Sequence, residues 1–354
     1  MKKIILLFAL LIFLFTACSD DDPVTPPNPQ AEVTGVYVLS EGKFQQNNAS
    51  LAFYNLEKDT VLNYVYEDAN GKKMGDNAND MDIYKTYAYV AVSNSNKIEV
   101  VDLKTFKSVA TINMQGKKPR GIAITDDGKG FVTSATKNKV YTFNANTFSI
   151  TDSVECGAVP ESITITGGKV FVANSGWGAD STVTVIDAKT NTILKTIKVG
   201  YNPVEIITAD GFVYVAAIGG WGAGQSRKGL YKIDATNLNV VDSIATTTFP
   251  SFPGIMCVAE NNLLIVGSAG AQKVSLDNFV AGDILIANSS VVTNGSAWSA
   301  IYGIAYDAKE KKIYCGNPKD FNQAGDIAIF DLSGNLVKRF DCGINPGTIK
   351  VVNP

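Results

Sequence analysis

One pattern dominates the chain: an apolar, β-rich run, a loop, then a second apolar run that stops at Asp or Asn. It occurs seven times, as Val36–Leu39 with Leu51–Asn55, Ala88–Val92 with Ile98–Asp102, and Phe131–Thr133 with Val140–Asn144. Val170–Ala173 with Val183–Asp187, Val213–Ala216 with Leu230–Asp234, Leu263–Val266 with Lys273–Asp277, and Ile313–Cys315 with Ile327–Asp331 complete the set. Short runs rich in Val, Ile, Tyr and Phe, bounded by turn-forming residues, read as strands. The closing residues Asn55, Asp102, Asn144, Asp187, Asp234, Asp277 and Asp331 recur at intervals of 42 to 54 residues. After each, a turn leads to one more strand; Thr192–Val199 alternates apolar and polar positions, as an outer strand with one wet face should.

A second marker precedes the units: a Pro or Gly turn entering an apolar strand. Pro119–Ile124, Pro160–Ile165, Pro203–Ile207, Pro253–Val258 and Ile301–Tyr306 carry it, and Asn79–Ile83 is a weaker version. These read as innermost strands lining a central channel. The unit starting near Gly35 lacks one, while Asn345–Val352 is a spare strand at the other end. Four short strands per unit at this period define a propeller, and closure removes the bare edges of an open array. The expected fold class is therefore all-β, a seven-bladed β-propeller whose first blade is completed by the C-terminal strand. No helical periodicity of useful length occurs outside the N-terminal leader.

Antiparallel alternation puts two kinds of connection on one face of the disc: those between blades, and those joining second to third strands. The latter are short at Ser93–Lys97, Ala135–Lys139 and Ser268–Gln272. They are long at Glu41–Asn48, Asn174–Asp180, Ile218–Arg227 and Gly316–Ala324. All three Trp of the chain, Trp177, Trp221 and Trp298, map to this face. Phe44, Tyr201, Phe249, Phe252, Tyr302 and Phe321 join them, with Arg227 in a long loop and Arg120, Glu161 and Glu205 at strand entrances. Aromatic surface with a few convergent polar groups suits a sizeable polar ligand that has apolar faces. The competing reading is that the rings cap the inter-blade core and that Gly-Trp-Gly simply folds down onto it. Asp80, Glu161 and Glu205 could form a hard-cation ring, against which the nearby Arg120 and the irregular spacing speak; equally, Arg120 could pair with Glu161 in the rim. The same carboxylates could be a glycosidase pair.

Composition narrows the chemistry. The chain has no histidine, which removes Ser-His-Asp and Cys-His catalysis and His-ligated zinc or haem. Cys156, Cys257, Cys315 and Cys342 lie far apart without CxxC spacing, in or beside predicted strands, where Cys is usually a small buried hydrophobe. No catalytic residue, cofactor or metal is expected. Lys and Arg number 31 against 34 Asp and Glu, with no basic patch, so nucleic acid is not an expected partner.

The N-terminus reads as a leader. Lys2 and Lys3 precede an apolar run from Ile4 to Phe15, too short to span a bilayer comfortably. Phe15-Thr16-Ala17-Cys18 resembles a bacterial lipobox, with Phe15 where Leu is preferred; the resemblance implies lipidation of Cys18. An acidic, Pro-rich segment follows, with Asp20, Asp21, Asp22, Pro23, Pro26, Pro27 and Pro29, which should stay disordered. It resembles a surface-export signal of Gram-negative lipoproteins. The expected organisation is residues 1–17 as signal peptide, 18–33 as lipidated Cys and tether, and 34–354 as propeller. The location that follows is the outer membrane, anchored by lipid and facing the exterior; a spacer on the periplasmic side is the alternative.

The repeated Val-Tyr-Val-Ala…Val-Ile-Asp unit, with Val199–Pro203 and Cys342–Pro346, resembles YncE-like seven-bladed propellers over nearly all of residues 35–354. Gly35–Gly42 followed by Asn47–Leu51 resembles a branch of lipid-anchored surface propellers. Some members of that branch capture cobalamin and pass it to an outer-membrane transporter. The resemblance implies a non-catalytic surface protein that binds a corrinoid-like nutrient for delivery to such a transporter. A glycan-binding protein of a polysaccharide-uptake system, a protein–protein scaffold, and a carboxylate- or metal-dependent lyase or lactonase are the alternatives.

Overall fold

The computed structural model describes residues 34–222, 224–245 and 252–353. The leader, the tether with Cys18, and Phe249 lie outside the described residues. Within them the chain forms seven four-stranded antiparallel sheets. Six are consecutive in sequence. The exception is blade 1, ordered Pro346–Val352, Gly35–Ser40, Ser50–Asn55, Thr60–Leu62 from the centre outward. The C-terminal strand pairs antiparallel with the first strand, Gly35 opposite Val352 and Val38 opposite Ile349. The inner strands touch their neighbours in a closed ring. The fold is the predicted seven-bladed β-propeller.

The closing Asp and Asn residues now have a physical role. Asp102 Oδ1 accepts from the amides of Lys104 and Thr105, both at 2.9 Å. Asp187 Oδ1 does the same for Lys189 and Thr190 at 3.0 and 2.7 Å. Asn144, Asp234 and Asp331 repeat the arrangement in their blades. These side chains mimic a backbone turn and hold the third-to-fourth-strand hairpin. In blade 6 the third strand, Gly270–Ser275, begins and ends ahead of the pattern, leaving Asp277 in the turn.

Seven hydrophobic clusters fill the seven gaps between adjacent blades. Successive residues of a second strand serve opposite gaps: Val90 packs toward blade 1, Tyr89 and Ala91 toward blade 3. Both faces are therefore dry, and the strand reads as an unbroken apolar run rather than alternating. The outer strands differ from expectation. Of Ile193–Lys198 only Ile197 is buried, because neighbouring blades splay apart at the rim and neither face is covered there. Two short helices, Val65–Asn70 and Asn288–Val291, are too brief to leave a helical periodicity in the sequence; both sit in connections between blades. The first docks through Tyr66, whose hydroxyl donates to the fully buried Glu99 at 2.8 Å; Lys97 ion-pairs with the same carboxylate at 2.6 Å.

No disulfide joins the four described cysteines, all of which are free. Burial pushes the thiols of Cys156 and Cys257 up to about 12, which removes them as nucleophiles at neutral pH.

Ring closure can be tested at one side chain. Ile349 is buried in the cluster between blades 7 and 1 with Val36, Val38 and Ile327. Ile349→Ala should destabilise the protein by about 2–4 kcal/mol, and the rim substitution Val337→Ala by less than about 0.5 kcal/mol. Urea unfolding of the two variants checks this.

Candidate ligand-binding site

The inner strands align position by position. Ala78, Pro119, Pro160, Pro203, Pro253, Ile301 and Pro346 stand at the entrance. Three places later Met81, Ile122, Ile163, Ile206, Met256, Ile304 and Ile349 all turn into the inter-blade core. Between these two layers the strands bulge in blades 2 to 5, as the register breaks at Ala78/Asp80, Pro119/Ile122, Pro160/Ile163 and Pro203/Glu205 show. A bulge turns extra side chains toward one side. Asp80, Arg120, Glu161 and Glu205 all come from it, and all four line one cavity of about 550 Å³ at the channel mouth.

The cavity has an aromatic rim and a charged floor. Trp177, Trp221, Phe252 and Tyr302 line it. Trp177, Trp221 and Phe252 remain 63%, 81% and 55% exposed. Tyr302 is turned inward: its hydroxyl donates to Glu41 Oε2 at 3.1 Å, and Phe321 packs edge-on against its ring with centroids 5.6 Å apart. Arg120 forms an ion pair through Nε with Glu161, one of the two arrangements the sequence left open. Deeper, Lys350 lies 3.7 Å from Asp82.

Two Gly-Trp-Gly loops build the rim, and they interlock. A Cβ on Gly178 would come within 2.8 Å of the Trp221 ring, and one on Gly220 would overlap the Gly178 carbonyl. Only glycine allows this approach. The loops are pinned from beneath. Ser175 Oγ accepts from the Trp177 amide at 3.2 Å, and Asp180 accepts from the Ala158 amide at 2.8 Å. Gln225 Oε1 accepts from the Gly222 amide at 2.9 Å. The competing reading, that Gly-Trp-Gly folds down onto the core, holds for Gly178, which is buried, and not for the indoles, which stay uncovered.

The acids are perturbed by burial. Desolvation raises Glu205 from 4.5 to about 8, assisted by the nearby Asp80 charge and opposed by a hydrogen bond from Ser162 Oγ at 3.3 Å. Burial also raises Glu41, Glu161 and Asp80, in each case against cations or hydrogen bonds that favour the ionised form. For Lys350, burial acts to lower the ammonium pKa, but Asp82, Asp80 and Glu205 together outweigh it and hold it up.

Among the described residues no group of three or more His, Cys, Asp or Glu is placed to hold a metal ion. The hard-cation ring of Asp80, Glu161 and Glu205 therefore does not form. Asp80 Oδ2 is taken by the Ile122 amide at 3.0 Å and Oδ1 by the Met81 amide at 2.8 Å, while Glu161 is held by Arg120.

Of the sequence-derived site residues, the cavity brings together Trp177, Trp221, Tyr302, Arg120, Glu161 and Glu205. Asp80 and Phe252, also named from sequence, line it too, whereas Trp298, Phe44, Tyr201, Phe321 and Arg227 do not. Trp298 is 82% exposed on the blade 6–7 connection, and Phe44 is 59% exposed in the blade 1 loop. Phe321 supports Tyr302 from behind. Arg227 spends its guanidinium on the Val199 carbonyl, and its own carbonyl accepts from the Tyr201 amide at 2.8 Å; both residues serve the loop framework. Sequence reasoning missed Glu41 and Lys350. A signal for Lys350 existed: at its position in the inner strands the other blades carry Ala123, Thr164, Ile207, Cys257 and Ala305, and only Asp82 and Lys350 are charged.

These features define a β-propeller with a ligand-sized cavity at one mouth of its channel. The chain belongs to the family described as "Domain of unknown function (DUF5074)", which matches residues 34–345. No curated protein matches it. Among solved structures it is similar to a quinonprotein alcohol dehydrogenase-like protein from Bacteroides thetaiotaomicron, at 17% identity and TM-score 0.66 over 91% of this chain and 79% of that one. A functionally unknown protein from Desulfotomaculum acetoxidans matches at 14% identity and TM-score 0.67, over 91% of this chain and 99% of the other. Hydrazine synthase of Kuenenia stuttgartiensis matches at 18% identity and TM-score 0.56, over 76% and 87%. At these identities the likeness speaks for the fold alone.

Two outcomes follow. Glu205 binds its proton more tightly folded than unfolded, so its contribution is complete below pH 4.5 and is lost as pH rises through about 8. Glu205→Gln should therefore match the wild type near pH 4 and exceed its Tm at pH 9 by on the order of 2 °C; thermal scans at both values read this. Gly178→Ala should displace the Trp221 ring, shifting tryptophan emission while changing stability by only about 1–2 kcal/mol.

Proposed function

We propose that this protein is a non-catalytic binding protein for a large nutrient ligand, held across the aromatic rim with a part inserted in the cavity. The supporting observation is the exposed group of Trp177, Trp221 and Phe252 over a floor of hydrogen-bonding acids. Covering such rings is favourable at roughly 25 cal/mol per Å² of apolar surface. A cavity of about 550 Å³ takes only a portion of a macrocycle or oligosaccharide, leaving the rest for the rim.

A corrinoid of the cobalamin type fits this reading. Its broad ring suits the aromatic rim, its side-chain amides suit Glu41 and Glu205, and recognition needs no histidine. The sequence resemblance to cobalamin-capturing YncE-like lipoproteins supports the same ligand. With Cys18 lipidated behind an acidic tether, the protein would sit on the outer membrane facing outward and hand its ligand to a transporter. A glycan is the second reading, favoured by the near-complete exposure of Trp221, the usual condition of a sugar-stacking ring.

Calorimetric titration with cyanocobalamin decides between them. Binding without turnover, weakened at least about 100-fold by combined Trp177→Ala and Trp221→Ala, is expected. A flat titration at high micromolar ligand rejects the corrinoid. Retention on a polysaccharide affinity gel, lost in the same double variant, would then assign the glycan.

A further inference from the structure

We propose that the floor of the cavity binds protonated amine groups, with Glu41, Asn79 and Glu205 as their acceptors and the rim rings covering the adjoining carbon chain. The inference rests on the reading that this cavity is a ligand site, and adds the chemistry of the group that enters it.

The acceptors on the floor outnumber the donors. Glu41, Asp80, Glu161 and Glu205 line the cavity, against Arg120 and Lys350. The two cations are already engaged, Arg120 by Glu161 and Lys350 by Asp82. Among the described residues no ion pair reaches Glu41 or Glu205. Glu41 accepts from Tyr302 and from Asn77, the latter at 3.3 Å, and Glu205 accepts from Ser162. The Asn79 side chain also hydrogen-bonds Glu41, while its Oδ1 is buried without a protein partner. A buried acceptor without a protein donor is met by water or by a ligand, and Asn79 lines the cavity where either can enter. N–H donors carrying positive charge would match these acceptors. An ammonium group supplies three, and its methylene chain is the surface that Trp177, Trp221 and Phe252 can cover.

Binding of such a group moves one proton. Burial keeps Glu205 protonated up to about pH 8. The groups facing it are Asp80 from blade 2, Lys350 from blade 1, which itself pairs with Asp82, and Ser162 from blade 4, with Arg120, Glu161, Glu41 and Tyr302 around the same cavity. An ammonium group arriving at Glu205 displaces the carboxyl proton to solvent and pairs with the carboxylate. Affinity should then rise with pH below about 8, by up to about tenfold per unit.

The test compares spermidine with its fully acetylated, uncharged derivative, by calorimetry and tryptophan fluorescence on the wild-type protein. Spermidine should bind at least tenfold more tightly at pH 8, with proton release seen as a heat that varies with the buffer. Glu41→Gln and Glu205→Gln should each weaken spermidine at least tenfold, and thermal scans verify that both fold. Equal binding of the two compounds, spermidine binding unchanged in both variants, or no spermidine binding at millimolar concentration overturns the inference. If spermidine fails while cyanocobalamin or a neutral glycan binds through Trp177 and Trp221, the binding-protein reading stands alone. If none of these ligands binds, both readings fall.

Discussion

Everything else in this molecule depends on the pairing of Gly35–Ser40 with Pro346–Val352. A single blade cannot bury its own apolar faces; each of the seven cores lies between two blades and is made by both. Six of these interfaces form from blades contiguous in sequence. The seventh joins blade 7 to blade 1, and its core includes Ile349 from the end of the chain beside Val36 and Val38 from the beginning. Without the last strand that core loses its inner wall, and Gly35–Ser40 presents an open edge of strongly apolar sequence. The same strand supplies Gly347, Thr348 and Lys350 to the cavity. Closure and site are therefore one event.

The inner strands pose a second problem. Each is an edge strand, so its outward amides have no partner in their own sheet. A buried unpaired amide costs about 1–3 kcal/mol. Here neighbouring blades provide the acceptors. Asp80 and Asp82 of blade 2 take the amides of Ile122 and Ile124 in blade 3, and Ser162 of blade 4 takes that of Ile206 in blade 5. This explains why acids line the channel although burial raises the pKa values of Glu41, Asp80, Glu161 and Glu205. Some of them are structural acceptors, which separates Asp80 and Asp82 from Glu41 and Glu205. It also explains why a ring of carboxylates read from sequence does not become a cation site.

The fold was legible because its rules repeat from blade to blade. The closing Asp or Asn binds amides of the tight hairpin that follows it in six of the blades, so the marker recurs along the chain. Second strands are dry on both faces, so they stand out as unbroken apolar runs. The site repeats nothing. Trp177, Trp221 and Tyr302 were recoverable because rare aromatic residues in lengthened loops need no register. Trp298 and Phe44 obeyed the same logic and lie on the correct face, yet outside the cavity, since topology fixes the face and not the radius. Arg227 and Tyr201 were misplaced because a loop's sequence does not say which of its groups it will spend holding itself together. Glu41 was passed over because it closes a strand in blade 1, where the alignment of inner strands does not reach. The bulges that aim Arg120, Glu161 and Glu205 leave no mark in composition.

The rim shows which way the loops have been driven. Gly176, Gly178, Gly220 and Gly222 flank two indoles, and fixing a glycine costs more chain entropy than fixing any other residue. If burying the indoles were the purpose, that cost would be recovered as covered aromatic area. It is not: Trp221 keeps 81% of its surface in solvent and Trp177 63%, and Trp177 adopts a left-handed backbone, φ 47°, to stay there. The interlock of Gly178 with Trp221 fixes the two loops against each other. The rings are thus held in place without being hidden. Such an arrangement lowers the ordering entropy left to be lost when something covers them. Trp298, 82% exposed on the same face but away from the cavity, sets the scale of that cover. A body that fills the cavity alone leaves Trp298 wet, whereas one that covers all three indoles must reach from blade 4 to the connection between blades 6 and 7.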